Sequence, residues 1–415
     1  MALSEGVQST LRFKAYASGA LTANAEPVPA TAPATSGGQL LRRVSHTLNL
    51  RKNTYRSAEI RGDRQVGDFR HGSRRVEGSI SGEFSPATYF ALLEAAMRGT
   101  KVAALADSNT EFTSVAADNS GSTFTFGGGD PVAEGYRVGD IIRFTNLSEA
   151  LNNSRNFTIT GMSGTNNRVV AVTPAPTTMG ADTSFNVARP GVTCAVPASG
   201  HVSRLFAFED YAEDLDESRL FTECRMSGFR INAAAEGMTT IELMAMGRGM
   251  TALATGASPF FTAPTAITSS GILAGANGLL RIGNTQVGVL TALDINYTMA
   301  AEAPSVLGQL FPPEIFLGTS DVTGTVTALF EDATLLNAFL NETESNILAR
   351  FDATTDAATD AVSIYLPRLK FTGADVQRSG EGAQPITLPF QALRYLASGI
   401  GIEQTTIRIH DTAAS

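Results

Sequence analysis

Tryptophan is absent from these 415 residues, and cysteine occurs only at Cys194 and Cys224. Two thiols cannot staple a disulfide framework, so each reads as a small buried hydrophobe. Histidine is confined to His46, His71, His201 and His410, with no His or Cys at metal-ligand spacing. No phosphate-binding loop, nucleophile elbow or dinucleotide fingerprint occurs. Gly127-Gly128-Gly129-Asp130 lacks a trailing Gly-Lys-Ser/Thr and reads as a turn. The run Glu209, Asp210, Glu213, Asp214, Asp216 and Glu217 lacks the spacing and central Gly of an EF-hand. It reads as a solvated loop or a partner for basic side chains. The expectation is a non-enzyme with no catalytic residue, metal or cofactor.

Charge is also sparse. Charged residues make up 17 % of the chain, and the formal net charge is −9. A general nucleic-acid binder needs the opposite balance, because neutralising phosphate takes an excess of Lys and Arg. The opening MALSEGVQST has no basic segment followed by an apolar one, so no secretory signal is expected. No apolar run reaches the roughly 18 residues of a transmembrane helix, so no membrane is expected as a partner.

What is present is a strand that runs into a helix, and it occurs twice. In Arg70 to Gly99, Val76, Ile80 and Phe84 alternate with Glu77, Ser79, Ser81 and Glu83. That period of two marks one buried and one wet face. Ser85 and Pro86 read as the N-cap and first position of a helix whose apolar face carries Tyr89, Phe90, Leu92, Leu93 and Met97. A shift of 246 residues (322 − 76) places Val76 on Val322, Gly78 on Gly324, Phe84 on Phe330 and Ala87 on Ala333. Ser79 and Ser81 fall on Thr325 and Thr327, and Glu77 falls on Thr323. Both copies keep an apolar face and a small polar face.

Further along, Leu205 and Phe208 match Leu348 and Phe351 at a shift of 143. The first copy therefore holds about 103 residues (246 − 143) that the second lacks. They contain short strands between Gly- and Asn-rich turns, an inserted all-β module. From Arg219 a shift of 145 fits better: Ser227-Gly228 falls on Thr372-Gly373, and Glu236-Gly237 on Glu381-Gly382. The expected fold class is mainly β with few helices. Two tandem β-sandwich or barrel domains each carry a packed helix, with a small all-β domain inserted in the first. The expected boundaries are 1–103 and 199–254 for the first domain, 104–198 for the insert, 255–269 for a Pro- and Thr-rich linker, and 270–415 for the second domain. Between Arg56 and Arg75 lies a charged loop with Arg56, Arg61, Arg64, Arg70, Arg74 and Arg75. It reads as a solvated surface loop or as an arm that pairs with acidic surface on a neighbouring subunit, and interspersed acids argue against DNA.

The segment from Ser57 to Gly99, and its second copy from Thr319 to Glu344, resemble the strand–loop–strand–helix signature of tail tube proteins of long, non-contractile-tailed bacteriophages. The resemblance covers both copies, but not the insert. It implies a structural virion protein of the phage tail, assembled in the host bacterial cytoplasm. In that family, tube domains line a hollow channel, rings stack around a tape-measure protein, and double-stranded DNA later passes through. Two tube domains per chain imply homotrimeric rings of pseudo-sixfold symmetry, ended by tail terminator and distal tail proteins. On this reading Glu77, Ser79, Ser81, Glu83, Thr323, Thr325 and Thr327 face the lumen, and the six arginines join protomers or rings. Two other readings are a distal tail or hub protein of the same fold, and a β-rich adhesin or glycan-binding module. The last would call for a secretory signal and an aromatic platform, and the sequence displays neither.

Overall fold

The computed structural model describes residues 5–22, 26–283, 285–286, 290–331, 334–354, 358–378, 382–397 and 400–415; Ala333 and Glu381 lie outside them. Alternation becomes strand wherever one face is apolar. The first half contributes β1 (Ser9–Ala15), β2 (Asn49–Arg56), β3 (Phe69–Glu83), β4 (Val192–Ala195), β5 (Phe206–Ala212), β6 (Glu217–Ala234) and β7 (Thr240–Gly247). The second half contributes β8 (Gly278–Ile282), β9 (Leu290–Thr298), β10 (Asp321–Leu329), β11 (Ser345–Asp352), β12 (Ala361–Phe371), β13 (Asp375–Val376), β14 (Pro385–Ala392) and β15 (Arg408–Asp411). Helix α1 (Phe90–Met97) follows β3, and α2 (Thr334–Leu340) follows β10.

Strand order repeats between the halves. The first runs β2–β3–β7–β6–β5–β1, and the second runs β9–β10–β14–β12–β11–β8, all antiparallel. The registers repeat as well. Met226 opposes Ala245 and Gly228 opposes Met244, across a bulge. In the second half Phe371 opposes Phe390 and Asp375 opposes Thr387. The halves are joined edge to edge, because β9 pairs with the free side of β6 from Gly228↔Thr298 to Ala234↔Ala292. One sheet, β2–β3–β7–β6–β9–β10–β14–β13, therefore crosses both halves.

The apolar rows of this sheet make its core. Val76, Ile80, Phe84, Leu243, Ile295, Val322, Val326 and Leu388 are at most 1 % exposed. Full burial of each aliphatic side chain contributes roughly 1.5–3 kcal/mol. Seven residues of α1 are buried against them, from Phe90 to Met97. This helix starts at Phe90, later than the Ser85–Pro86 signal predicts. The hydroxyls of Ser85 and Thr88 bond each other at 2.7 Å, Ala87 adopts φ 63°, and its N–H donates to Asp411. The would-be cap is spent on a tertiary turn. Gly82 explains the close seating of the helix, since a Cβ there would lie 2.0 Å from the Tyr89 hydroxyl.

Residues 105–189 form a separate eight-stranded sheet with its own aromatic core of Phe112, Phe124, Phe126, Phe144 and Phe157. The next strand, β4, already belongs to the main sheet, paired with β15. The separate sheet thus ends earlier than residue 198. It rests on the second half: Leu348 and Tyr365 join its core, while Ile347, Ile364 and Leu366 point into the main core. The 255–269 segment packs on the first half, burying Phe261, and the Phe260 and Phe261 N–H groups donate to Glu209.

Candidate functional site

Side chains on the other face of the long sheet come from alternate positions of the same strands. Val76, Ile80 and Phe84 go into the core, so Glu77, Ser79, Ser81 and Glu83 lie opposite, each half-buried. Across the strands Ser79 opposes Met244 and Ser81 opposes Glu242; Glu242 in turn opposes Arg230, and Arg230 opposes Asn296. Asn296 opposes Thr323, and Thr323 opposes Gln391. Thr323, Thr325 and Thr327 occupy this face in the second half. The result is an unbroken polar row over both halves. A shallow hollow on it is lined by Arg230, Glu242, Asp294, Asn296, Thr325 and Gln391.

Electrostatically the face is acidic. Glu77, Glu83, Glu242, Asp294 and Asp321 lie on it with Arg230 among them, while Arg51 and Arg75 at one end and Lys370 at the other are further bases on the same face. Arg230 donates to Asp294 at 2.9 Å across the joint between the halves, and that carboxylate holds the guanidinium above its ordinary range. Asp321 accepts from Gln391 at 2.5 Å, and Glu77 is paired with Arg75. Such a surface repels phosphate while staying wetted by hydroxyls and amides. Met244 and Met246 interrupt it, a feature the sequence reading did not assign.

The six predicted arginines divide into two groups. Strand β3 begins at Phe69, so the predicted loop of 56–75 is a long hairpin whose turn covers only 57–68. Its stem is exposed on both sides, which removes the apolar alternation that would have marked it as strand. Arg56, Arg61, Arg64 and Arg70 lie on this projecting part, with Arg61 on Asp63 at 3.2 Å and Arg70 on Asp68 at 2.9 Å. Ile60, Val66 and Phe69 are exposed beside them. Arg74 and Arg75 belong to the body instead. Arg74 pairs with Glu26, and its N–H donates to the Leu310 carbonyl at 2.7 Å.

The acidic run is not a solvated loop throughout. Glu209 is fully buried under the Phe260 and Phe261 amides, and Asp210 binds Arg219 and His46, the latter at 3.3 Å. Both cysteines are buried; burial raises the Cys224 thiol and pushes Cys194 up to about 12. Among the described residues no cluster of three His, Cys, Asp or Glu could hold a metal. Among them too, no helix is long and apolar enough to cross a membrane.

Buried charge is concentrated where the inserted sheet meets the second half. Asp140, wholly buried, accepts from Arg408 at 2.7 and 3.1 Å, from Arg189 at 3.4 Å and from the Arg137 N–H at 2.9 Å. Burial pushes its pKa up, but Arg408, His410 and Arg189 outweigh that and hold it below the usual range. His410 accepts from the Ile141 N–H at 2.9 Å through Nδ1 and lies 2.7 Å from the Pro190 carbonyl through Nε2. The proton therefore sits on Nε2 of a neutral ring. No sequence motif marks this cluster, because its members are some 270 positions apart.

A family model for phage tail tube proteins matches residues 17–392. No curated protein matches the chain.

Proposed function

Because the chain belongs to the phage tail tube protein family, we propose that it closes into rings that stack into a hollow tube, with the acidic polar face of the long sheet lining the lumen. The carrying observation is that one polar row, from Ser81 through Glu242, Arg230, Asn296 and Thr323 to Gln391, runs across both halves, while the buried apolar rows of the same strands turn away from it. A wall of hydroxyls, amides and carboxylates, whose bases Arg75, Arg230 and Lys370 are held by Glu77, Asp294 and Glu342, offers passing DNA little cationic foothold. Glu77, Ser79, Ser81, Glu83, Thr323, Thr325 and Thr327 are its lumen side chains.

The repeated strand order supports a duplicated tube domain and hence three chains per pseudo-sixfold ring. The role is structural and non-enzymatic. The tail is of the long, non-contractile type, with a tape-measure protein in the lumen, terminator and distal tail proteins at the ends, and assembly in the host cytoplasm. The inserted sheet packs on the far side of the core from the polar face, which leaves it outside the tube. The hairpin turn with Arg61 and Arg64 reaches the next ring. Negative-stain microscopy of the purified protein tests the reading. Stacked hollow rings of threefold symmetry are expected; dispersed single particles at all concentrations overturn it.

A further inference from the structure

The joint between the halves is a template for the joint between chains. Strand β9 seals β6, and its counterpart in the first half is the segment 45–51: Asn49 opposes Glu77 as Asn296 opposes Thr323, and Ser45 opposes Ser81 as Ala292 opposes Thr327. The counterpart of the sealed stretch 228–232 is 373–377 (373 − 228 = 145), since Asp375 opposes Thr387 as Arg230 opposes Glu242. Among the described residues, 45–51 pairs only with β3 and 373–377 only with β14. Each half thus exposes the edge that the other half has covered.

Two observations say what fits there. The first is Gly373. At its counterpart, Gly228, a Cβ would lie 2.4 Å from the Tyr297 carbonyl oxygen of the sealing strand, so glycine is required. At Gly373 the nearest atoms are Pro389 ring carbons at 3.2 and 3.6 Å, so nothing in the same chain requires it. The second is incomplete burial. Phe229 and Ile231 are 0 and 1 % exposed under Tyr297 and Ile295, whereas Ala374 and Val376 at the matching positions are only half-buried.

We propose that residues 45–51 of one chain pair antiparallel with residues 373–377 of a second copy, in the register Arg51↔Gly373, Asn49↔Asp375 and Thr47↔Gln377. Leu50 then covers Ala374 as Tyr297 covers Phe229. This rests on the ring reading and specifies its seam. The seam differs in chemistry from the internal joint. The Arg230–Asp294 ion pair has Asp375 and Thr47 in its place, so the chain-to-chain contact lacks that cross-strand charge pair.

Thiol cross-linking tests it. Directly opposed residues of antiparallel strands have Cα atoms about 4.5–5.5 Å apart, within disulfide reach. Asn49 and Asp375 are exposed, while native Cys194 and Cys224 are buried. A mixture of Asn49→Cys and Asp375→Cys single variants is expected to give a covalent dimer on mild oxidation, and the double variant a ladder ending at the ring size. Pairing Asn49→Cys with Val376→Cys should not link, since one residue of slip turns the side chain to the other face. Rings visible by microscopy with no Asn49→Cys/Asp375→Cys link, or with the slipped pair linked instead, overturn this register and leave the ring reading standing. Linked dimers without rings keep the seam and overturn the ring. Neither links nor rings overturns both.

Discussion

Asp140→Asn removes the charge at the centre of the contact between the inserted sheet and the second half, while nearly preserving shape. Arg189 and Arg408 are 1 and 4 % exposed. Removing one partner from a buried ion pair costs about 3–5 kcal/mol, because the other charge stays buried and uncompensated. Arg408 retains Glu403, and the amide oxygen of Asn can still accept one bond, which puts the cost near the lower bound, about 3 kcal/mol. At about 1.4 kcal/mol per decade, the docking equilibrium weakens roughly 150-fold. Native-state hydrogen exchange reads this directly. The Ile141 amide, bonded to His410, and the β15 amides should exchange about 150-fold faster, while β10 amides serve as an unmoved reference. The double change Asp140→Leu/Arg408→Met should recover most of the loss, since an apolar replacement leaves less buried charge uncompensated. An acceleration below about fivefold in Asp140→Asn would refute the claim that this network holds the inserted sheet.

Four further outcomes are expected. Burial lowers the His410 pKa to about 4 from an ordinary 6.5, so the unfolded chain takes up the proton first. Its contribution is present above pH 6.5 and lost as pH falls toward 4, about 3 kcal/mol in all. Burial raises Asp411 to about 6, so its contribution has the opposite sign, present below its ordinary 3.8 and lost as pH rises through 6. His410→Gln should therefore remove the acid-side loss; urea midpoints at pH 4.5 and 6.5 measure it, and an unchanged pH dependence counts against it. Gly228→Ala should destabilise the monomer by about 1–3 kcal/mol through the Tyr297 carbonyl clash. Gly373→Ala should leave the monomer's thermal melt in place yet abolish rings, and normal rings from it would argue against the proposed seam. Charge reversal at Arg61 and Arg64 should shorten tubes while leaving single rings intact, with tube length read by microscopy.

Much of the polar face could be read from the chain alone. Alternation over 76–84 and 322–330 assigns faces without any knowledge of neighbours, because side chains in a strand point to opposite sides with a period of two. The shifts of 246 and 145 likewise pair strands that prove to be topological counterparts, since the same pattern must solve the same burial problem. Where both faces of a strand are wet, as in residues 69–75, the pattern carries no signal and a strand reads as a loop. Local signals also yield to distant partners. Ser85 has the chemistry of a helix cap, but Thr88 and Asp411 claim that turn. Glu209 has the charge of a surface residue, but two amides from the 255–269 segment make its burial tolerable. The Asp140 cluster and the edge-to-edge joint of β6 with β9 lie wholly beyond sequence reach. Each depends on which strand arrives beside which, and pairing partners are chosen by the folded sheet, not by the local pattern. Periodicity and internal likeness along the chain supply two faces, a recurring strand–helix pattern and an acidic balance. That the two halves share one continuous sheet with two free, matching edges follows from the fold, because strand partners are set by the assembled sheet.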